Sequence, residues 1–144
     1  WGYFKANFKI ARRMLFLKST FEAELTIDNK VVLIKVSMVV IANGTTYGTG
    51  AIINPTGNLE DEVFEVILIK KISILEVFKM MISHTSFNPN KTAIFKAKNL
   101  KIKLSKKIHF QIDGEYLGKT DEVYAILIPQ ALEVIVPLKN RTIV

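Results

Sequence analysis

The sequence predicts a mainly-β fold, an antiparallel β-sandwich with two helices, and two observations carry that prediction. Short apolar segments alternate with polar residues along most of the chain, which is the period of half-buried strands. Turn-forming residues bound these segments, and there is no regular strand-helix-strand alternation, which argues against a doubly wound fold. The length of 144 residues suits one domain, and no linker or repeat divides residues 1–144.

Two segments have helical periodicity. Tyr3–Leu17 carries an apolar stripe opposite a basic side, and Ser73–Ser83 begins with a residue that can cap a helix. Asp28-Asn29-Lys30 predicts a turn between the first two strands. The predicted strands are Phe21–Ile27, Val31–Ala42, Glu62–Lys70, Ala93–Ala97, Leu100–Leu104, Ile108–Ile112, Glu122–Ile128 and Leu132–Val136.

Composition narrows the class of protein. Hydrophobic residues make up 49% and charged residues 23%, as in globular domains, and no apolar run approaches the roughly 20 residues that span a bilayer. The absence of cysteine removes disulfides and thiolate metal sites, which fits a cytoplasmic protein. The formal net charge of +7 favours anionic partners such as nucleotides, phospholipid headgroups or nucleic acid. Because the chain starts at Trp1 without an initiator Met, we expect it to be a piece of a longer protein.

Three segments have residue types that can support chemistry. Asn43–Gly50 contains three glycines, which suit either a plain hairpin turn or close approach of a ligand, but it lacks the Gly-Lys-Ser/Thr ending of a phosphate loop. Asn54–Phe64 contains three clustered acids, which suit a hard cation or a solvated turn. Phe110–Glu115 places two carboxylates around a glycine, as in a base with a nucleotide contact or in a common Asp-Gly turn.

The order and spacing of these segments resemble the C-terminal domain of the diacylglycerol kinase/sphingosine kinase-like lipid kinases over nearly the whole chain. Gln111-Ile112-Asp113-Gly114-Glu115 resembles the Asp-Gly-Glu motif of that family and is its most specific element here. The resemblance implies a β-sandwich that forms one wall of a cleft between two domains. The other domain would be an N-terminal kinase domain with a Gly-Gly-Asp-Gly-Thr nucleotide loop, a motif that this sequence lacks.

The resemblance also assigns roles. Asp113 corresponds to a general base for the lipid hydroxyl, and Gly114 and Glu115 correspond to contacts with ATP and its metal. In related sphingosine kinases the base is usually an aspartate of the missing domain, so the resemblance leaves the role of Asp113 open. Asp61, with the backbone carbonyls of Asn58 and Val63, corresponds to a structural Mg²⁺ site, although Glu62 stands where the family commonly has glycine. If that glycine has a positive φ, the loop at Glu62 must differ. The residues that correspond to the substrate cleft are Asn43, Gly44, Tyr47, Gly48 and Gly50.

The expected partners are a lipid at a membrane surface, with the protein peripheral to it, and the missing kinase domain. An alternative from another class is a non-catalytic β-sandwich that binds lipid or an anionic membrane surface. A nucleic-acid binder ranks last, because the predicted sheet shows no dense interleaving of aromatic residues with lysine or arginine and no binding motif occurs, so we expect no nucleic-acid partner. The sequence leaves the oligomeric state open, homo-oligomers included.

Overall fold

The computed structural model describes residues 20–47, 51–71, 88–131 and residue 133. Both predicted helices, Tyr3–Leu17 and Ser73–Ser83, lie outside these residues. The predicted strand Leu132–Val136 also lies outside them, except for Glu133, which is not in a strand. A short 3₁₀ helix spans Pro89–Lys91. The strands are β1 (Phe21–Ile27), β2 (Lys30–Val36), β3 (Met38–Ala42), β4 (Thr46–Tyr47), β5 (Ala51–Ile52), β6 (Phe64–Ile69), β7 (Thr92–Ala97), β8 (Asn99–Ile112) and β9 (Glu115–Ile126).

The strands form two main sheets and one small hairpin. The first sheet has the strand order β2-β1-β8-β9, and the second has the order β3-β6-β7. β4 and β5 pair with each other. Every strand pairing in the described part of the chain is antiparallel. The predicted fold class, an antiparallel β-sandwich, is confirmed.

The main core lies between the two sheets. β1 follows the predicted alternation: its odd-numbered residues are buried and both of its glutamates are exposed. All six residues of β6 are buried, because this strand lies in the middle of its sheet and both faces are covered. One face of β6 joins β1 in the main core, and the other carries Ile67 and Ile69 into a second, smaller cluster. Glu65 lies on that second face and is also buried.

The chain passes between the sheets at two single-residue corners. Ser37 separates β2 from β3, and Lys98 separates β7 from β8. The backbone N–H of Ser37 donates to the carbonyl of Ile69 at 2.8 Å, and its hydroxyl donates to the carbonyl of Lys70 at 3.2 Å. The backbone N–H of Lys98 donates to the carboxylate of Asp28 at 3.1 Å. These bonds replace the ladder contacts that each strand loses at its corner.

Two-residue turns close both hairpins of the first sheet. Asp28 and Asn29 have φ values of 42° and 74°, and Asp113 and Gly114 have values of 48° and 91°. Positive φ at both central residues is the type I′ geometry that matches strand twist, and Asp, Asn and Gly tolerate it best. The turn predicted at Asp28-Asn29 is therefore confirmed.

Three strand predictions need correction. The predicted strand Glu122–Ile128 is only the second half of β9, which begins at Glu115 and ends at Ile126. The predicted strand Val31–Ala42 is two strands in different sheets, because the chain bends at Ser37. The segments Leu100–Leu104 and Ile108–Ile112 belong to one long strand, β8, because β9 pairs with both of them. The lysines and serine between those segments sit at an irregularity of the pairing, between Lys103 and Ile108, where the alternation that marks a strand is interrupted.

Candidate active site and cation site

The Asp113-Gly114 turn presents two carboxylates at the tip of the β8–β9 hairpin. The side chains of Asp113 and Glu115 are exposed, and no hydrogen bond or ion pair within the described residues involves either carboxylate. A depression of about 400 Å³ beside the turn is lined by Ile112, Asp113, Glu115 and Leu117. An acid at this turn is therefore free to accept a proton or to contact a ligand, with apolar side chains next to it.

The outer half of the β8–β9 hairpin, which we call the arm, spans Ile108–Ile112 and Glu115–Thr120 and pairs only with itself among the described strands. β1 pairs with β8 only as far as Leu104. A second irregularity places Leu117 between two cross-strand pairs, next to Gly118, whose φ is 99°. The arm thus carries the Asp113 turn away from the part of β8 that is packed between neighbouring strands.

A separate polar cluster surrounds Glu65 on β6. Glu65 and Asn54 are both completely buried, and the Asn54 amide Nδ2 donates to Glu65 Oε2 at 2.7 Å. The cross-strand neighbours of Glu65 are Ala42 on β3 and Lys96 on β7. Because a buried carboxylate is costly unless it is paired and hydrogen-bonded, these contacts define the polar end of an otherwise apolar sheet face.

Two loops meet above this cluster. The backbone N–H groups of Ile53 and Asn54 both donate to the carbonyl of Thr45 at 3.2 Å. At Gly57 a Cβ atom would lie 2.5 Å from Asn54 Nδ2 and 2.9 Å from the carbonyl oxygen of Gly44, so only glycine fits without a shift. The predicted cleft residue Gly44 is therefore held against the loop that begins at Asn54, and Asn43 directly precedes it in the chain. Tyr47 forms part of β4, and Gly48 and Gly50 lie outside the described residues.

The acidic loop, Asn58–Val63, is fixed by two lysines. Lys96 Nζ is 3.0 Å from Asp61 Oδ2, and Lys98 Nζ is 2.9 Å from Glu62 Oε2. The hydrogen bond from Lys98 lowers the pKa of Glu62, and the hydrogen bond to Asp61 raises the pKa of Lys96. Glu62 is not among the described residues with a positive φ, so this position does not need a glycine and the side chain causes no backbone strain.

Three buried oxygens around this cluster have no hydrogen-bond partner within the described part of the chain: Asn43 Oδ1, Asp61 Oδ1 and Glu65 Oε1. All three are acceptors, so they favour a cation or a hydrogen-bond donor as the missing neighbour. The unpartnered Asp61 Oδ1 fits the predicted Mg²⁺ ligand, since Mg²⁺ needs only one or two carboxylates beside carbonyls and water. The described residues contain no group of three or more His, Asp or Glu side chains that suits a metal.

Strand pairing attaches the Asp113 turn and the acidic loop to opposite ends of β8. Asn99, at the start of β8, follows Lys98, which holds Glu62. Asp113 follows Ile112 at the other end of the same strand. No described hydrogen bond or ion pair joins the turn to Asn43 or Gly44. That these segments line one cleft stays a prediction.

Sequence reasoning missed Asn54, Glu65 and Lys96. The signal for Glu65 was present, since it is the one charged residue in the apolar run Val63–Ile69, a run typical of a strand buried on both faces. An acid inside such a run predicts a buried ion pair. A further open cavity lies elsewhere, on the first sheet, with a volume of about 530 Å³. Its lining mixes the side chains of two glutamates and two lysines and includes none of the candidate residues.

Fold and site together define an antiparallel β-sandwich domain with acidic groups on its loops. The model of the YegS C-terminal NAD kinase beta sandwich-like domain matches residues 7–136. The chain belongs to this family, and its predicted resemblance to the C-terminal domain of diacylglycerol kinase-like lipid kinases is confirmed. No curated protein sequence gives a significant match.

Solved structures agree with this fold. A diacylglycerol kinase from Bacillus anthracis str. Sterne has a TM-score of 0.55 and 24% identity, over 83% of this chain and 43% of that one. Two structures of proteins from that organism assigned as diacylglycerol kinases have TM-scores of 0.56 and 0.53, with 22% and 23% identity. They cover 72% and 79% of this chain, and 36% and 43% of those chains. The chain thus spans less than half the length of these proteins. Within its described residues, no helix has the length and apolar character needed to cross a membrane.

Proposed function

We propose that this chain is the catalytic-cleft half of an ATP-dependent lipid kinase that phosphorylates a lipid hydroxyl. The observation that carries the proposal is the Asp113-Gly114-Glu115 turn in a chain of this family, with both carboxylates exposed and unpaired within the described residues. Phosphoryl transfer depends chiefly on positioning and on neutralising charge. One base and one contact to the nucleotide are contributions that a single wall of a cleft can make.

Asp113 is the proposed general base. The turn holds it in a left-handed conformation at the tip of the arm, and its side chain is exposed. It would accept the proton of the lipid hydroxyl as that oxygen attacks the γ-phosphate of ATP and the bond from the γ-phosphorus to the leaving ADP breaks. The apolar Ile112 and Leu117 beside it suit the hydrocarbon part of a lipid. Glu115 is the proposed contact to MgATP, the co-substrate.

A structural Mg²⁺ is proposed at the acidic loop, on Asp61 Oδ1 with the backbone carbonyls of Asn58 and Val63. When bound, such an ion would rigidify the loop and supply positive charge near anionic ligands. This chain's own residues orient the loop: Lys96 holds the other oxygen of Asp61, and Lys98 holds Glu62. Two lysines thus hold the acidic loop before any ion is added.

We expect the chain of residues 1–144 to have no appreciable lipid kinase activity on its own. The proposal places the nucleotide loop in a separate N-terminal domain, and positioning of the two substrates supplies much of the rate. The measurement is transfer of phosphate from MgATP to diacylglycerol in mixed micelles, with the longer protein as the positive control. Robust Mg²⁺-dependent phosphorylation by this chain alone would contradict the proposed division of the active site.

In the longer protein, Asp113→Asn keeps the shape of the turn but cannot accept a proton. Loss of a general base typically lowers the rate about 10²–10⁴-fold. The loss should appear in kcat, with little change in the KM for MgATP, because the contact matters mainly in the transition state. Glu115→Gln should instead raise the KM for MgATP as well.

A matched control for both variants is Asp121→Asn, which removes an exposed carboxylate from β9 outside the turn. It should retain wild-type kinetics. Wild-type turnover by a folded Asp113→Asn enzyme would place the base in the other domain. This half would then have a scaffolding and lipid-binding role, close to that of a non-catalytic β-sandwich.

A further inference from the structure

Lys96 lies between two carboxylates whose contacts are incomplete. Its Nζ atom is 3.0 Å from Asp61 Oδ2, a hydrogen-bonded ion pair, and 3.8 Å from Glu65 Oε1, which is too long for a hydrogen bond. Glu65 Oε1 is buried and has no hydrogen-bond partner among the residues described, and neither has Asp61 Oδ1. A completely buried carboxylate is costly when one oxygen lacks a hydrogen bond, so Glu65 Oε1 can accept a hydrogen bond from a donor that comes closer.

We propose that Lys96 is a two-position counter-ion, which pairs with Asp61 while the acidic loop holds no metal and moves to Glu65 Oε1 when a divalent cation binds Asp61. The inference rests on the cation site proposed above. A cation on Asp61 Oδ1 and an ammonium on Oδ2 of the same carboxylate repel each other. Glu65 Oε1 is the second anionic acceptor already within 4 Å of the ammonium. The Lys96 side chain is 54% exposed, so it has room to make the short movement.

The two positions have different consequences for the neighbouring loops. In the present position the ammonium ties the acidic loop to β7 through Asp61. In the second position it would complete the contacts of Glu65, whose other oxygen holds Asn54 at 2.7 Å. Asn54 in turn donates its backbone N–H to Thr45, two residues after Asn43. Cation binding at one loop is thereby connected to the support of the Asn43–Thr45 segment through a single buried carboxylate.

Mn²⁺ binding to the chain of residues 1–144 tests this proposal, with the free ion measured by electron paramagnetic resonance. Glu65→Gln keeps an oxygen for Asn54 but removes the charge that receives the ammonium, so Lys96 should stay on Asp61 and compete with the metal. We expect Mn²⁺ affinity to fall about 10–100-fold, the range of changes in the groups that support metal ligands. Glu62→Gln is the matched control, because it removes an equal charge from the neighbouring acidic loop, but the partner of Glu62 is Lys98 and not Lys96.

A double-mutant cycle isolates the role of Lys96. In Lys96→Met the ammonium that competes with the metal is absent. Adding Glu65→Gln to this variant should therefore change the Mn²⁺ affinity no more than adding Glu62→Gln does. Equal Mn²⁺ affinities for Glu65→Gln and Glu62→Gln, each made in the chain with Lys96, would contradict the movement of Lys96 but not the cation site. If the wild-type chain shows no saturable Mn²⁺ binding, or if Asp61→Asn does not abolish that binding, both the cation site and the movement of Lys96 are contradicted.

One measurement needs no variant, in case Glu65→Gln does not fold. Titration of the wild-type chain with Mg²⁺ should shift the side-chain NMR signals of Lys96 at the same concentrations that shift the amides of the acidic loop. The side chain of Lys98, paired with Glu62, serves as the internal reference and should stay unchanged. Loop amides that shift while Lys96 does not would contradict the proposal.

Discussion

Gly57 is the residue that lets the two loops of the polar cluster touch. Its Cα lies so close to Asn54 and to the backbone of Gly44 that an added Cβ would meet atoms at 2.5, 2.8 and 2.9 Å. Two of these three atoms belong to backbone and cannot swing aside. A methyl group there must displace one loop, and with it the amide that holds Glu65.

We therefore expect Gly57→Ala to lower the free energy of unfolding by about 1–3 kcal/mol, the usual cost of overpacking. The control is Gly44→Ala, whose Cβ would meet only Leu59 Cδ2 at 3.7 Å, an ordinary contact. Urea unfolding of both variants measures the difference. Equal losses in the two variants would show that the contact at Gly57 yields without cost.

Individual residues were predictable where local chemistry decides their conformation. Asp28-Asn29 and Asp113-Gly114 are turns by residue type alone, because few other residues accept two successive positive φ values. The pairing of Glu65 with Asn54 was not predictable in the same way. Their contact depends on how a loop 11 positions away folds back over β6, which no local pattern encodes.

At the scale of elements, β8 and β9 have two parts with different environments. Between Asn99 and Leu104, β8 lies between β1 and β9, and Leu100 and Ile102 are buried. In the arm, strand pairing continues, but most side chains are exposed and the pairing contains a bulge. Local opening is easiest where few apolar contacts protect the backbone hydrogen bonds.

We expect amide hydrogen exchange in the arm to be faster than in the packed part of the same two strands. Amides at Ile102 and Leu25 should exchange only with global unfolding, whereas those at His109 and Lys119 should exchange through local opening. Exchange measured at several urea concentrations separates the two routes, since only global unfolding depends steeply on urea. Identical urea dependence at His109 and Ile102 would mean that the arm unfolds only with the sandwich.

The strand pattern could be predicted well from the sequence, and the sheet to which each strand belongs could not. The alternation in β1 and the continuous apolar run of β6 reflect burial on one face and on two faces. No glycine or proline next to Ser37 predicts the corner at that residue. Its bend depends on hydrogen bonds to Ile69 and Lys70, residues that are distant in sequence.

For the whole molecule, the two corners and the shared core imply that the sheets unfold together. At Ser37 and at Lys98 the chain passes from one sheet to the other within a single residue, and β1 and β6 share one buried cluster. Neither sheet can lose its partner without exposing the core of both. This is the condition under which a small domain unfolds in one cooperative step.

The length of the arm also determines how far the Asp113 turn lies from the packed sheet. Each cross-strand pair adds about 3.3 Å to the distance between the packed sheet and the turn. Deleting the opposed pairs Ile108–Thr120 and His109–Lys119 would therefore draw Asp113 back by roughly 7 Å. Because two residues are removed from each strand, every remaining side chain keeps its face, and Phe110 takes the place of Ile108 against the core.

In the longer protein, we expect this shortened arm to leave thermal unfolding nearly unchanged and to reduce kcat as far as Asp113→Asn does. If the enzyme with the shortened arm kept its turnover, the distance to which β8 and β9 extend the turn would not matter for catalysis. The length of β8 and β9 would then determine only how many residues pair in the hairpin. With the expected result, the number of residue pairs in one hairpin fixes how far a carboxylate extends into the space between two domains.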